Sequence, residues 1–108
     1  MYYSSYMARQ QRIDLGGYVY HVINRASGRV PIFKTKQDYQ LFESVLEEAT
    51  KREQMRILAY CIMPNHFHLA LYPEKDKDVQ RFMGWLTKTH TQRWHVMHGT
   101  TGHGHLYR

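Results

Sequence analysis

Two histidines, His66 and His68, are the residues of this sequence best suited to chemistry. They open a run, HFHLALY, whose aromatic and aliphatic residues are typical of a β-strand. Side chains two positions apart on a strand leave the same face, so both imidazoles can converge on one ion. Phe67 and Leu69 would then point into a core. The pair therefore predicts a metal-ligand role, with structural or solvent-facing histidines as the alternative.

This histidine pair does not make a complete metal site. A divalent ion that activates a phosphodiester usually takes more ligands and keeps open positions. A third ligand must come from elsewhere, and the sequence does not select among the possible donors, which are Glu43, Glu47 and Glu48 on a predicted helix and Asn65 beside the pair. A second pair, His103 and His105, has the same spacing but does not lie in an apolar strand.

The elements that position the histidines follow from residue patterns. Residues 18–25 are β-branched and aromatic enough for a first strand. Thr35 and Asp38 resemble a capping box, and apolar residues at helical spacing behind them predict a helix to about residue 52. Residues 55–63 and 66–72 predict a hairpin around Pro64-Asn65.

A second helix is predicted from Asp78, as its cap, to Gly99, and residues 100–108 can enter a fourth strand. The order β-α-β-β-α-β is the ferredoxin-like split pattern, an α+β fold with an antiparallel sheet and both helices on one face. This fold hosts many functions, so it does not establish an activity.

Composition limits the class of partner. A chain of 108 residues with 43% hydrophobic residues is sufficient for one core. Lys and Arg total 15 against 9 acidic residues, and the formal charge of +6 favours a polyanionic partner, with nucleic acid as the first expectation. An inert, solvated basic surface is the alternative.

The sequence also predicts location and organisation. The single Cys61 cannot form an internal disulfide, and its apolar surroundings predict a buried, reduced thiol. No secretory signal or membrane-spanning run is evident. We therefore expect a soluble, cytoplasmic protein with a flexible N-terminal arm over residues 1–16 and one domain over residues 17–108.

The stretch Met63-Pro64-Asn65-His66-Phe67-His68-Leu69 resembles the histidine-hydrophobe-histidine signature of the single-tyrosine HUH transposases, in particular their REP-associated branch. Three further stretches resemble this family in the same order. They are Tyr20-His21-Val22-Ile23-Asn24-Arg25 for its first strand, Asp38-Tyr39 for its first helix, and residues 100–108 (TTGHGHLYR) for the glycine-rich approach to its fourth strand.

The resemblance implies a mechanism in which a metal, Mg²⁺ or Mn²⁺, is held by His66 and His68 and polarises a phosphate that a tyrosine attacks. The family places that tyrosine on a helix after the fourth strand, with an Asn or Gln one turn later. This sequence ends at Arg108. Tyr107 matches the aromatic residue that approaches the fourth strand, so we expect it to be a packing residue. No catalytic tyrosine is thus expected here, and the chain alone should be inactive.

Five basic residues are predicted to contact DNA, with single-stranded or hairpin ends as the expected substrate: Arg9, Arg12, Arg25, Lys88 and Arg93. Arg9 and Arg12 lie in the arm beside Tyr2, Tyr3 and Tyr6, whose rings can stack on bases. Lys88 and Arg93, with His90 and His95, predict a backbone-contacting stripe on the second helix. A disordered arm and a solvated helix face are the alternatives.

The leading hypothesis is therefore a DNA-binding domain for DNA transposition. The family resemblance also raises the expectation that the protein forms a homodimer. A nuclease that uses metal-bound water is a second hypothesis. A non-enzymatic ferredoxin-like module for nucleic acid or a protein partner is a third.

Overall fold

The computed structural model of the chain describes residues 2–4, 15–29, 31–100 and 104–108. Its strands are β1 (Tyr2–Ser4), β2 (Tyr20–Arg25), β3 (Arg56–Met63) and β4 (His66–Tyr72). Its helices are α1 (Lys36–Glu53) and α2 (Asp78–His98), and a 3-10 turn covers Ser27–Arg29.

The four strands form one sheet in the order β1-β2-β4-β3. β4 pairs antiparallel with both β2 and β3, whereas β1 pairs parallel with β2. The α+β class and the predicted hairpin are thereby confirmed. The predicted fourth strand is reduced, within the described residues, to an isolated antiparallel bridge between Ala26 and Tyr107. One bridge gives a local contact without a ladder of hydrogen bonds.

Alternation along β4 divides the sheet into two faces. Phe67, Leu69 and Leu71 are fully buried and join Tyr20 and Val22 of β2 in the core. The helices contribute the other side of this core through fully buried residues, which are Phe42, Val45 and Ala49 of α1 and Val79, Phe82 and Leu86 of α2. His66 and His68 alternate with the buried residues of β4, so they belong to the opposite face, which we call the helix-free face.

The start of α1 is a full capping box. Thr35 Oγ1 accepts from the N–H of Asp38, and Asp38 Oδ2 accepts from the N–H groups of Lys34 and Thr35 at 2.9 and 3.1 Å. Asp38 Oδ1 also lies 2.7 Å from His98 Nε2 at the end of α2. Burial alone would raise the pKa of Asp38, but these backbone bonds and His98 lower it below its usual value. One carboxylate therefore ties the start of α1 to the end of α2.

Helix α2 begins differently from the prediction. Lys77, with φ 67, occupies the cap position, and Asp78 is the first helical residue. Asp78 Oδ2 instead accepts from the N–H of Lys75 at 3.2 Å, because the loop folds back over the first turn. The predicted end is confirmed, since Gly99 adopts the left-handed conformation with φ 67 that favours glycine.

The segment predicted as an arm is described only in part. Residues 2–4 pair with β2, so these three are part of the sheet and do not form a free arm. Leu15 is held by Tyr20, whose hydroxyl donates to its carbonyl at 2.8 Å. Residues 1 and 5–14 lie outside the described residues, so the division into arm and domain stays a prediction.

We expect Asp38→Ala to lower the free energy of unfolding by about 2 kcal/mol, because it removes the cap and leaves two N–H groups and His98 without their acceptor. Urea unfolding followed by circular dichroism measures this. Gln37→Ala, at an exposed position in the same turn, is the control and should change the free energy by less than about 0.5 kcal/mol. Equal losses in both variants would contradict the role of the cap.

Candidate metal and nucleic-acid site

His66 and His68 lie side by side on the helix-free face. Their ring centroids are 5.1 Å apart, and both side chains are half-buried. Each histidine has a cross-strand partner on both sides. His66 pairs with Arg25 of β2 and Met63 of β3, and His68 pairs with Ile23 of β2 and Cys61 of β3. The structure thus brings together the two imidazoles that the sequence predicted to converge.

Each of these rings already uses its Nδ1 atom. Asn65 Oδ1 lies 2.8 Å from His66 Nδ1, and an amide oxygen only accepts, so this nitrogen carries the proton. His68 Nδ1 lies 3.3 Å from His21 Nε2. When His68 donates in that contact, both rings present an Nε2 lone pair. This is the arrangement in which a ligand histidine is oriented through its second nitrogen.

His21 is a residue that the sequence interpretation did not assign to the site. Its ring centroid lies 5.4 Å from that of His68. The signal was present in the strand pattern, since His21, Ile23 and Arg25 alternate with buried residues and must share one face. The strand pattern does not show which residues lie beside His21. That depends on the pairing of β2 with β4, which is a contact between distant parts of the chain.

The local electrostatics favour neutral imidazoles. Burial lowers the pKa of His66, and the charge of Arg25 lowers it further. Burial is also the main reason that the pKa of His68 is lowered, with added repulsion from His66, His21 and Arg25. A neutral ring is the form that binds a metal ion.

The proposed acidic third ligands do not join the pair. Glu43 accepts from the Tyr60 hydroxyl at 2.7 Å, and Glu48 accepts from Arg93 at 2.7 Å. With Glu47 they lie on α1, which packs on the opposite side of the sheet. Among the described residues, no group of three or more His, Cys, Asp or Glu side chains is arranged to hold a metal ion. Asn65, in contact with His66, is the one suggested donor that lies beside the pair.

A small cavity of about 330 Å³ lies at the end of β2 and is lined by Arg25, Ala26, Asn65 and Arg108. The N–H of Arg108 donates to the carbonyl of Arg25 at 3.0 Å, which brings the two arginines to the same place. Asn65 connects this cavity to His66. Two arginines that line one cavity suit a phosphate, and the charge of Arg25 acts on the neighbouring His66.

The remaining predicted DNA contacts have different settings. Arg9 and Arg12 lie outside the described residues. Lys88 is exposed on α2, whereas Arg93 forms an ion pair with Glu48. The predicted stripe on α2 is wrong at His90, which is 0% exposed. It occupies the inward side of α2, four positions after the buried Leu86.

Tyr107 lies in the core with His90. Its side chain is 8% exposed, and its hydroxyl forms a 2.7 Å hydrogen bond with His90 Nδ1. The ring also meets that of Phe67 edge-on at 5.6 Å. Burial raises the pKa of the Tyr107 hydroxyl well above its usual value. These contacts are those of a packing residue.

The Cys61 prediction is wrong in one respect, because this thiol is exposed. It lies opposite His68 on β3, and β3 is an edge strand whose outward residues no described element covers.

Among the described residues, no helix is both long and apolar enough to cross a membrane.

Comparison with known proteins places the chain in a family. The family model described as "Transposase IS200 like" matches residues 15–108. The chain belongs to the IS200-like transposase family. A search of curated proteins finds no match.

Two solved structures resemble this transposase-family chain. One is a REP-associated tyrosine transposase bound to a REP hairpin, with a TM-score of 0.70, 18% identity, and coverage of 91% of this chain and 55% of that one. The other is a candidate transposase from Deinococcus radiodurans R1, with a TM-score of 0.61, 20% identity, and coverage of 75% and 65%. At these identities the likeness shows the fold, and the chain spans less than two thirds of either structure.

The buried His90 makes the stability of this IS200-like chain depend on pH. Burial lowers the pKa of His90 from 6.5 to about 4, although Asp38 opposes the shift. The unfolded chain therefore binds a proton between those values and the folded chain does not, so stability is full above pH 6.5 and falls toward pH 4.

We expect His90 to cost the wild type about 2 kcal/mol of unfolding free energy between pH 7 and pH 5. Urea unfolding at both pH values, in wild type and His90→Leu, measures this. The two proteins differ only at position 90, so the stability difference between them should shift by about that amount from pH 7 to pH 5. A difference that stays constant with pH would contradict the prediction.

Proposed function

We propose that this transposase-family chain binds DNA, at single-stranded or hairpin ends, for DNA transposition. The observation that carries the proposal is the convergence of His66 and His68 with the cavity lined by Arg25 and Arg108. A phosphate bound by the arginines would lie beside the imidazole pair. The formal charge of +6 of the whole chain also favours binding to DNA.

The fold neighbour supports the choice of DNA form. A REP-associated tyrosine transposase with this fold was solved bound to a REP hairpin. The site proposed here is a sheet face with a small cavity lined by two arginines, and in the described part of the chain no helix projects from that face to read a major groove. A flexible strand at a hairpin end can place single phosphates in such a cavity more readily than a stiff duplex can.

We further propose that His66 and His68 hold a divalent ion, Mg²⁺ or Mn²⁺, of which Mn²⁺ fits two imidazoles better. The donor set fits because Asn65 orients one ring and His21 contacts the other. When bound, the ion would act as a Lewis acid on a phosphate oxygen. Arg25 would position that phosphate, and the imidazoles would leave the remaining coordination positions to oxygen ligands.

Tyr107 is not the nucleophile in this proposal. Its hydroxyl is occupied by His90 inside the core, while the histidine pair lies on the other face of the sheet. In-line attack requires an approach to about 3 to 3.5 Å, which would pull Tyr107 out of its packing. The homodimer and the cytoplasmic location stay predictions.

We expect hairpin and single-stranded DNA to bind more tightly than blunt duplex, with affinity falling as salt rises. Fluorescence anisotropy at two salt concentrations tests this. Arg25→Ala should weaken hairpin binding about fivefold and reduce the salt dependence by about one phosphate contact. Lys51→Ala, an exposed basic position on α1, is the control and should bind like wild type. Equal affinity for duplex and hairpin DNA would contradict the proposal. So would equal hairpin affinity of the Arg25→Ala and Lys51→Ala variants.

We also expect no covalent bond between Tyr107 and DNA. The chain is incubated with labelled single-stranded DNA and Mn²⁺ and run on a denaturing gel. Tyr107→Phe provides the comparison. A retarded band in wild type that the variant abolishes would make Tyr107 the nucleophile and overturn its assignment as a packing residue.

A further inference from the structure

A second cavity, which we call the α2 groove, lies between α2, β2 and the C-terminal residues. Its volume is about 560 Å³, and its walls include Asn24, Met83, Gly84, Lys88, Leu106 and Arg108. This volume lies within the range of cavities that take small organic groups. The histidine pair is on the other face of the sheet, so the groove is a separate site.

Asn24 gives the groove an unsatisfied polar group. Its side chain is 4% exposed, and its Oδ1 has no hydrogen-bond partner among the described residues. A buried acceptor without a donor costs folding free energy, so such groups are uncommon in native proteins. Asn24 lines the groove, so a rotation of its side chain toward the cavity would let Oδ1 accept from an N–H group bound there.

We propose that the α2 groove binds one unpaired nucleobase of the DNA, an inference that rests on the proposed function. Met83 and Leu106 offer apolar walls to the faces of the base. Asn24 would accept from an N–H on the base edge. Lys88, exposed on α2, would lie near the backbone of that nucleotide.

The position of Arg108 connects this groove to the proposed phosphate site. Arg108 lines both the groove and the cavity that contains Arg25. A single strand could therefore place a phosphate between the two arginines and the base of a nearby nucleotide in the groove. Lys88, Arg108 and Arg25 follow one another along this path, as the phosphates of a strand do, and the formal charge of +6 favours the same polyanion. We therefore assign the groove to a base of that strand.

Gly84 allows the groove to be blocked without disturbing the core. A Cβ at Gly84 would have no described neighbour within 4 Å outside its own stretch of helix. Gly84→Phe would therefore project into the open groove and also remove a helix-weakening glycine. Gly84→Ala also removes this glycine but leaves the groove open. Met97→Phe adds the same ring at a 43% exposed position of α2 outside the groove.

The experiment measures binding of a hairpin with an unpaired flank, in which each unpaired nucleotide is replaced in turn by an abasic one. In wild type we expect one abasic position to weaken binding about tenfold. In Gly84→Phe, binding to the intact flank should be about tenfold weaker, and that abasic position should have no further effect. Gly84→Ala and Met97→Phe should behave like wild type.

Two results would overturn the inference while leaving the proposed function intact. One is a Gly84→Phe variant that binds the hairpin as tightly as wild type. If that variant differs from wild type only in its sedimentation, the groove binds protein and not a base. The other is an abasic effect that persists in Gly84→Phe. Failure of wild type to bind any DNA would instead refute the proposed function, and the inference with it. Urea unfolding checks each variant, and Gly84→Leu repeats the test if the phenylalanine lowers stability.

Discussion

The alternation of strand β4 is the constraint on which the rest of the structure depends. Phe67 is fully buried and meets the ring of Phe42 at 4.8 Å, while its neighbours His66 and His68 leave by the other face. β4 pairs on both edges, so its register is fixed twice. A slip of one residue would place two imidazoles in the core and Phe67 in solvent. The free energy that holds the core together therefore also fixes the geometry of the histidine pair.

A buried polar contact extends this control to the end of the chain. The bond between His90 and Tyr107 holds residues 104–108 against α2, within a cluster of aromatic rings. That placement brings Arg108 beside Arg25, and both residues line one cavity. His90 Nε2 has no partner among the described residues, so only one of the two ring nitrogens is hydrogen-bonded. Protonation of the buried His90 ring therefore costs free energy. The cationic site thus depends on the folding of the core behind it.

Local patterns in the sequence predicted the parts of the fold that local physics determines. Thr35 and Asp38 are three residues apart, so their cap could be recognised without knowledge of the rest of the chain. The contacts of His21 and Arg108 join distant segments, and no spacing along the chain reveals them. Cys61 was misjudged because an apolar run does not show whether its strand is central or at an edge. The two histidines themselves could be found because the strand period of two is local.

Calorimetric titration with Mn²⁺ tests most directly the central claim, that His66 and His68 form a metal site on the helix-free face. We predict binding of one ion, weakened at least about tenfold by either His66→Ala or His68→Ala. His105→Ala removes an exposed histidine from the other pair of the same spacing and should leave the affinity unchanged. Equal affinity in all four proteins, or a loss confined to His105→Ala, would contradict the account.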